Sequence, residues 1–226
     1  VVRHDDEWHL FYTGTSRADD GLVQRVGHAR SHDLSAWERV GDGFAFELDP
    51  RWYETLDLAR WHDQAWRDPH VFRHGGTWHA LVTARCADGA TDRRGTIGHA
   101  ISDDLDTWSV QPPLSDGSPH GQLEIPEVRE VGGRWYLMFS TVAGDGQPGT
   151  FAVPSIGGPL GPWDWAAERR VLGDGWYGAK LVERSPGAEV VALAWRDRED
   201  DGTFGGWISD PMDVTLDPRS FRITRW

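Results

Sequence analysis

One phrase returns along this chain often enough to dictate what it can fold into. Its first copy is Asp6-Glu7-Trp8-His9-Leu10-Phe11-Tyr12, then Arg25-Val26-Gly27-His28-Ala29, the polar group Ser31-His32-Asp33-Leu34, and Trp37. The second is Gly75-Gly76-Thr77-Trp78-His79-Ala80-Leu81-Val82, then Gly98-His99-Ala100-Ile101-Ser102-Asp103-Asp104-Leu105, and Trp108. A third opens Gly132-Gly133-Arg134-Trp135-Tyr136-Leu137-Met138-Phe139 and continues more loosely from Ala152 to Trp163. A fainter fourth runs Gly187-Ala188-Glu189-Val190-Val191-Ala192-Leu193-Ala194-Trp195, then Gly205-Gly206-Trp207-Ile208-Ser209. Each copy reads as short strands joined by Gly-rich turns, and no segment sustains helical periodicity. A repeat of this length made only of strands predicts an all-β protein, a β-propeller with one four-stranded sheet per blade. Stacked blades bury faces that a single blade could not. The recurring Trp37 and Trp108 are expected to pack blade on blade.

Composition narrows the function. With 226 residues, 38% hydrophobic and 26% charged, the chain has the makings of one sizeable folded domain. No apolar run approaches the roughly 20 residues of a membrane helix. A formal charge of −13 argues against nucleic acid and anionic membrane surfaces as partners. Fourteen tryptophans can fill a β core and also make platforms for sugar rings. Cys86 is the only cysteine, which excludes an internal disulfide and thiol-rich metal sites. The histidines suggest zinc, but His9 matches His79 and His28 matches His99, so they are expected to be spread over different blades. No His-Glu-x-x-His pattern is present. The expectation is no metal and no cofactor. The chain has no asparagine, and Lys180 is its only lysine among 23 Lys and Arg.

Three positions stand out. Trp66-Arg67-Asp68-Pro69-His70-Val71-Phe72 sets an acid beside an arginine and before a proline, at the mouth of a strand. Pro69 is expected to push Asp68 towards an extended backbone. Asp68 precedes Trp78 by ten residues and Glu124 precedes Trp135 by eleven, so both fall at the first strand of a blade. Lys180, in Trp176-Tyr177-Gly178-Ala179-Lys180-Leu181-Val182, is expected to hold the corresponding place in the next blade. First strands line a propeller's axis, so Asp68, Glu124 and Lys180 are expected to point into one funnel. Inward charges need a partner or a polar ligand. Two carboxylates in such a funnel suit glycoside hydrolysis, with one held protonated as the acid. Glu124, between Leu123 and Ile125, is the better candidate for the acid. Asp68, beside Arg67, should stay ionised, binding sugar hydroxyls or opposing a developing oxocarbenium charge.

These residues resemble glycoside hydrolase family 32, the invertase, inulinase and levanase family, over nearly the whole chain. Trp66-Arg67-Asp68-Pro69-His70-Val71 is similar to its Arg-Asp-Pro motif, which implies Asp68 as transition-state stabiliser, with Trp66 and Arg67 facing substrate. Leu123-Glu124-Ile125-Pro126-Glu127 resembles its Glu-Cys-Pro-Asp motif, which implies Glu124 as general acid/base. Tyr177-Gly178-Ala179-Lys180 looks like the Phe-Tyr-Ala segment, which implies Tyr177 and Lys180 in the substrate pocket. Phe204-Gly205-Gly206-Trp207 resembles a late Trp-Gly-Gly segment. The implied fold is a five-bladed propeller, four blades of it visible in residues 1–226. The implied activity is retaining hydrolysis of a β-fructofuranoside such as sucrose or a fructan.

Two replacements are mild, Ile125 for the usual cysteine and Glu127 for aspartate. The larger departure is that the family's nucleophile, an aspartate in an Asn-Asp-Pro-like motif, has no match here. By register the first visible unit corresponds to the family's second blade. The expectation is therefore a chain without the first blade and without a C-terminal β-sandwich, poorly active by itself, whose nucleophile lies upstream. Alternatives are a family 43-like arabinosidase or xylosidase and a non-catalytic sugar-binding propeller. Compartment and oligomeric state are left open.

Overall fold

The computed structural model describes residues 1–183, 190–217 and 220–224. It is all-β, with three short 3-10 turns and four antiparallel sheets. The first sheet runs β1 (Val2–His4), β2 (Glu7–Gly14), β3 (Arg25–Ser31) and β4 (Glu38–Phe46) in spatial order. The second repeats that order with β5 (Arg67–His74), β6 (Thr77–Arg85), β7 (Gly95–Ser102) and β8 (Ser109–Gln111). The third is formed by β9 (Glu124–Val131), β10 (Arg134–Val142), β11 (Pro148–Pro154) and β12 (Arg169–Leu172). Sequence neighbours are spatial neighbours in all three, which is the up-and-down meander of a propeller blade.

The fourth sheet departs from the meander. After β13 (Trp176–Glu183) and β14 (Val190–Arg198), the third strand is broken into β15 (Phe204–Ile208) and β16 (Met212–Asp217), both paired with β14, before β17 (Ser220–Thr224). Pro211 lies in the break, and a proline has no N–H to offer a ladder. The Gly187-Ala188-Glu189 opening of the fourth copy lies outside the described residues.

The turns explain why the phrase begins as it does. Gly75-Gly76 links His74 to Thr77 with φ of 59° and 91°, and Gly132-Gly133 has φ of 61° and 78°. Two positive φ values in a two-residue hairpin suit a strand's twist and favour glycine. The polar groups also repeat in detail. Ser31 Oγ accepts from the N–H groups of Asp33 and Leu34, as Ser102 Oγ does from Asp104 and Leu105. Trp37 and Trp108 then donate their indole N–H to the carbonyls of Leu34 and Leu105.

The chain divides into two compact units, Val1–Pro126 and Glu127–Trp226. In the first, Phe11, Val26, Phe46, Trp66, Val82 and Leu105 belong to one buried cluster. Trp108 packs against Phe11 at 5.4 Å and Phe46 at 5.2 Å, blade on blade as expected. In the second, Met138, Leu172, Trp176, Leu181, Ala192 and Met212 share another. The irregular stretch from 47 to 66 joins the first two sheets. It is pinned where Gln64 donates its backbone N–H to Leu22 O and accepts from Gln24 N–H. That pairing sets Asp63 beside Gln24.

Candidate active site

Asp68 departs from the extended backbone expected before Pro69: its φ is 58°, in the left-handed region. The reason is a bulge. Arg67 pairs with Thr83 and His70 with Leu81, so β5 carries one residue too many across that step. Ile125 repeats the conformation before Pro126, with φ of 55°. A β-branched residue there is a genuine strain, of order 1–3 kcal/mol, and such strain gathers at functional sites. Gly178 is the third case, at φ 64° in a bulge between Tyr177 and Lys180.

The bulges correct the expected register. Asp68, Ile125 and Gly178 are the equivalent residues, and so are Arg67, Glu124 and Tyr177. Lys180 pairs with Leu193 as His70 pairs with Leu81, so it does not share Asp68's place but sits two residues further on. Tyr177 and Lys180 lie on β13 in the second unit, both partly buried.

A hydroxyl supports two of these left-handed residues from matching spots on a second strand. Thr13 Oγ1 accepts from Asp68 N–H at 2.9 Å, and Ser140 Oγ accepts from Gly178 N–H at 2.9 Å. At Ile125 the Asp68 carboxylate intervenes. Thr83 donates its hydroxyl to Asp68 Oδ2 at 2.9 Å, and Ile125 N–H donates to the same oxygen at 3.2 Å. Asp68 thereby holds the backbone immediately after Glu124.

Arg67 completes the cluster. Its guanidinium donates through Nη2 to Glu124 Oε1 at 2.6 Å and through Nη1 to Gln24 Oε1 at 2.7 Å and Asp63 Oδ2 at 3.2 Å. Its Nε lies 3.5 Å from Asp68 Oδ2. Side-chain exposure is 10% for Arg67 and Asp63, 23% for Asp68 and 28% for Glu124. Of these four groups, the two expected catalytic carboxylates are the more exposed. Arg67, expected to bind substrate, is instead engaged with protein groups on three sides.

Two further expectations change. Trp66 is 1% exposed, so it is not a platform for substrate. It packs on Tyr53 at 4.8 Å and donates its indole N–H to Phe46 O. A Cβ on Gly98 would lie 2.6 Å from its ring, so the fit requires glycine there. The surroundings of Glu124 are also less apolar than Leu123 and Ile125 suggested, since its carboxylate faces Arg67.

The histidines close into pairs within blades. His9 Nδ1 lies 3.0 Å from His28 Nε2, and His79 Nδ1 lies 3.0 Å from His99 Nε2. Matching places in different blades are indeed separate, but neighbouring strands of one sheet bring His9 to His28. Burial depresses the basicity of all four, and His28 and His99 fall to about 4. Among the described residues His9, His28 and Asp106 have ligand atoms within 4.8 Å of one another. Arg30, however, is hydrogen-bonded to Asp106 and places a positive charge beside the trio.

Asp63, Gln24, Gln122, Thr13 and Thr83 escaped the sequence reading. The hydroxyls had a signal, since Thr13, Thr83 and Ser140 each stand five residues after Trp8, Trp78 and Trp135. Asp63 and Gln24 had none, because a loop contact brings them together.

The site thus presents two carboxylates on a shared arginine beside a strand bulge, within propeller blades, and comparison with known proteins shows what the chain is similar to. No family model matches the chain. The chain is 26% identical over 146 residues to the sucrose-6-phosphate hydrolase of Bacillus subtilis, covering 62% of this chain and 27% of that enzyme. A GH32 β-fructofuranosidase of Bombyx mori superposes over 100% of this chain with a TM-score of 0.73 and 18% identity. A sucrose-6-phosphate hydrolase structure from Lactobacillus gasseri gives 0.74 over 99%, also at 18% identity. The levansucrase of Bacillus subtilis gives 0.68 over 96%, at 16% identity. The Bombyx enzyme and a levansucrase have also been solved with sucrose. The resemblance drawn from the Arg-Asp-Pro and Glu-x-Pro segments is thus borne out. The four sheets are blades matching part of the five-bladed propeller of the GH32 β-fructofuranosidases, which this chain resembles in fold. It spans 49% of the Bombyx chain and about a quarter of the first hydrolase, at 27%.

Proposed function

We propose that this chain forms part of a retaining glycoside hydrolase acting on β-fructofuranosides, sucrose or fructans, with Glu124 as general acid/base and Asp68 as transition-state stabiliser. The observation that carries this reading is the bond from Ile125 N–H to Asp68 Oδ2, which ties the stabiliser to the backbone of the acid. Asp68 Oδ2 is held by Thr83 and Ile125, so its other oxygen is the one to meet sugar hydroxyls and the charge that grows on the ring. Glu124 hands a proton to the leaving oxygen and later takes one from water. The retaining mechanism also needs a nucleophile. Asp63 does not suit that part, because it is 8% exposed and both its oxygens are held by donors.

The test is Glu124→Gln in the complete protein that carries this chain, assayed on sucrose and a fructan. The amide keeps the shape and an acceptor for Arg67 but cannot cycle a proton. We expect kcat to fall by roughly 10²–10⁴ with the melting temperature preserved. An unchanged kcat would remove Glu124 from the acid/base role.

A further inference from the structure

The loop from 112 to 123 delivers the chain to Glu124, and the irregular stretch from 47 to 66 delivers it to Arg67 and Asp68. One buried side chain holds both. Arg85, the last residue of β6, is 1% exposed. Its Nη1 donates to the carbonyl of Gly121, three residues before Glu124. Its Nη2 donates to Thr91 O at 3.1 Å, and its Nε to Glu54 Oε2 at 2.5 Å. The guanidinium also lies over the ring of Trp61, 3.7 Å from its centre, two residues before Asp63. Glycine is required where these pieces meet. A Cβ on Gly121 would come within 2.8 Å of the Trp61 ring, and one on Gly95 within 2.6 Å of His120 O. The loop before Glu124 is therefore seated directly against Trp61 and the start of β7.

Stability does not account for a guanidinium in this place. Among the described residues Glu54 is the one carboxylate bonded to it, and Arg94 Nη1 shares that carboxylate at 2.7 Å. Burying two cations against one anion is costly, and a well-packed apolar side chain of similar size is often no less stable. An apolar residue could not tie three loop segments together. A planar fork with five N–H groups and a face for stacking can, and the point charge of a lysine cannot. Two residues earlier on the same strand, Thr83 holds Asp68 Oδ2. Strand β6 thus carries the support of Asp68 and the clamp on the approach to Glu124.

We infer that Arg85 is a positioning residue for Glu124: by clamping the preceding loop to Trp61, Glu54 and β6, it sets where Glu124 stands relative to Asp68. The catalytic consequence rests on the reading of Glu124 as acid/base; the clamp itself does not. The test is Arg85→Lys in the complete protein that carries this chain, assayed on sucrose and on p-nitrophenyl β-fructofuranoside. Nitrophenolate departs without being protonated, so kcat/KM for that substrate does not need a placed acid, whereas the leaving oxygen of sucrose does. We expect kcat/KM for sucrose to fall roughly 10–100-fold and that for the nitrophenyl substrate to change by less than about threefold. A clamp that served stability alone would lower both alike. Equal losses, or none, overturn the positioning role. Glu124→Gln on the same pair of substrates reads the acid assignment separately. Equal losses in that variant sink the assignment, and the clamp is then decided by hydrogen exchange.

Hydrogen exchange followed by mass spectrometry reads the clamp without turnover. In the parent, peptides covering 57–64 and 112–123 should be protected well beyond a free loop. In Arg85→Lys both should exchange at least about tenfold faster while β2 and β3 keep their rates. Loops already unprotected in the parent overturn the inference, a result that needs no variant to fold. So do loops whose exchange is unaltered in folded Arg85→Lys.

Discussion

The first unit holds two kinds of polar cluster, and they differ in whether they repeat. The histidine pairs occur twice, at 3.0 Å in each blade, with rings stacked at centroid distances of 5.2 Å. A phenylalanine extends each stack, Phe11 on His28 and Phe72 on His79. The Arg67 cluster occurs once among the described residues, although the left-handed backbone beneath it repeats at Asp68, Ile125 and Gly178. What recurs in matching places of two blades serves the blade itself, here as a polar link between neighbouring strands. What breaks the repeat on a conserved backbone device answers to something particular to one place. The bulge is scaffold; the charges mounted on it are the candidate site.

The sharpest way to break this contrast is to remove the centre of the unrepeated cluster. Arg67→Ala leaves Asp63, Asp68 and Glu124 without their shared cation. We expect about 3–5 kcal/mol of stability to be lost, read from urea unfolding at neutral pH. A loss under 1 kcal/mol would mean that the cluster is no more than solvated surface.

The histidine pairs should reveal themselves by pH. His99 falls to about 4 in the fold, mainly through burial and then through its neighbour His79, against an ordinary value of 6.5. Between those values the unfolded chain takes up a proton that the folded chain refuses. The contribution is therefore full above pH 6.5 and declines as pH falls towards 4. His99→Gln should lose about 2 kcal/mol less than the parent between pH 7 and pH 5. Equal losses would show that His99 is not held neutral.

The smallest effect compares one turn in its two copies. Leu34 and Leu105 both have left-handed backbones, φ 64° and 69°, but Leu34 is 48% exposed and Leu105 fully buried. Leu34→Gly relieves strain at little packing cost and should stabilise by up to about 1 kcal/mol. Leu105→Gly should instead destabilise, since it empties a core position. If both variants shift the melting temperature in the same direction, matching backbone outweighs burial at this turn.

Much of the fold was legible because repetition is a property of sequence. The Gly-Gly turns, the Trp-led strands and the Ser-x-Asp-Leu groups each satisfy their own backbone locally, so their spacing alone predicted blades. The candidate carboxylates were legible for the same reason, being placed by distance from Trp78 and Trp135. Trp66 was misjudged because an aromatic beside a motif looks the same whether it faces a ligand or a core; only Gly98 and Tyr53 decide it. Asp68 was misjudged because a preference set by Pro69 yields when a bulge is held by Thr13, Thr83 and Arg67 together.

By itself, then, the sequence determined strands, turns, blade number in the visible chain and the identity of Asp68 and Glu124 as the acids worth watching. Tertiary structure alone decided which partner each acid has. Arg67 faces Glu124 more closely than its own neighbour Asp68, and Asp63 reaches it from a loop pinned to Leu22 and Gln24. Electrostatic partnership depends on distance through space, falling off with each ångström, and a bulge or a loop contact changes that distance without leaving any period in the chain.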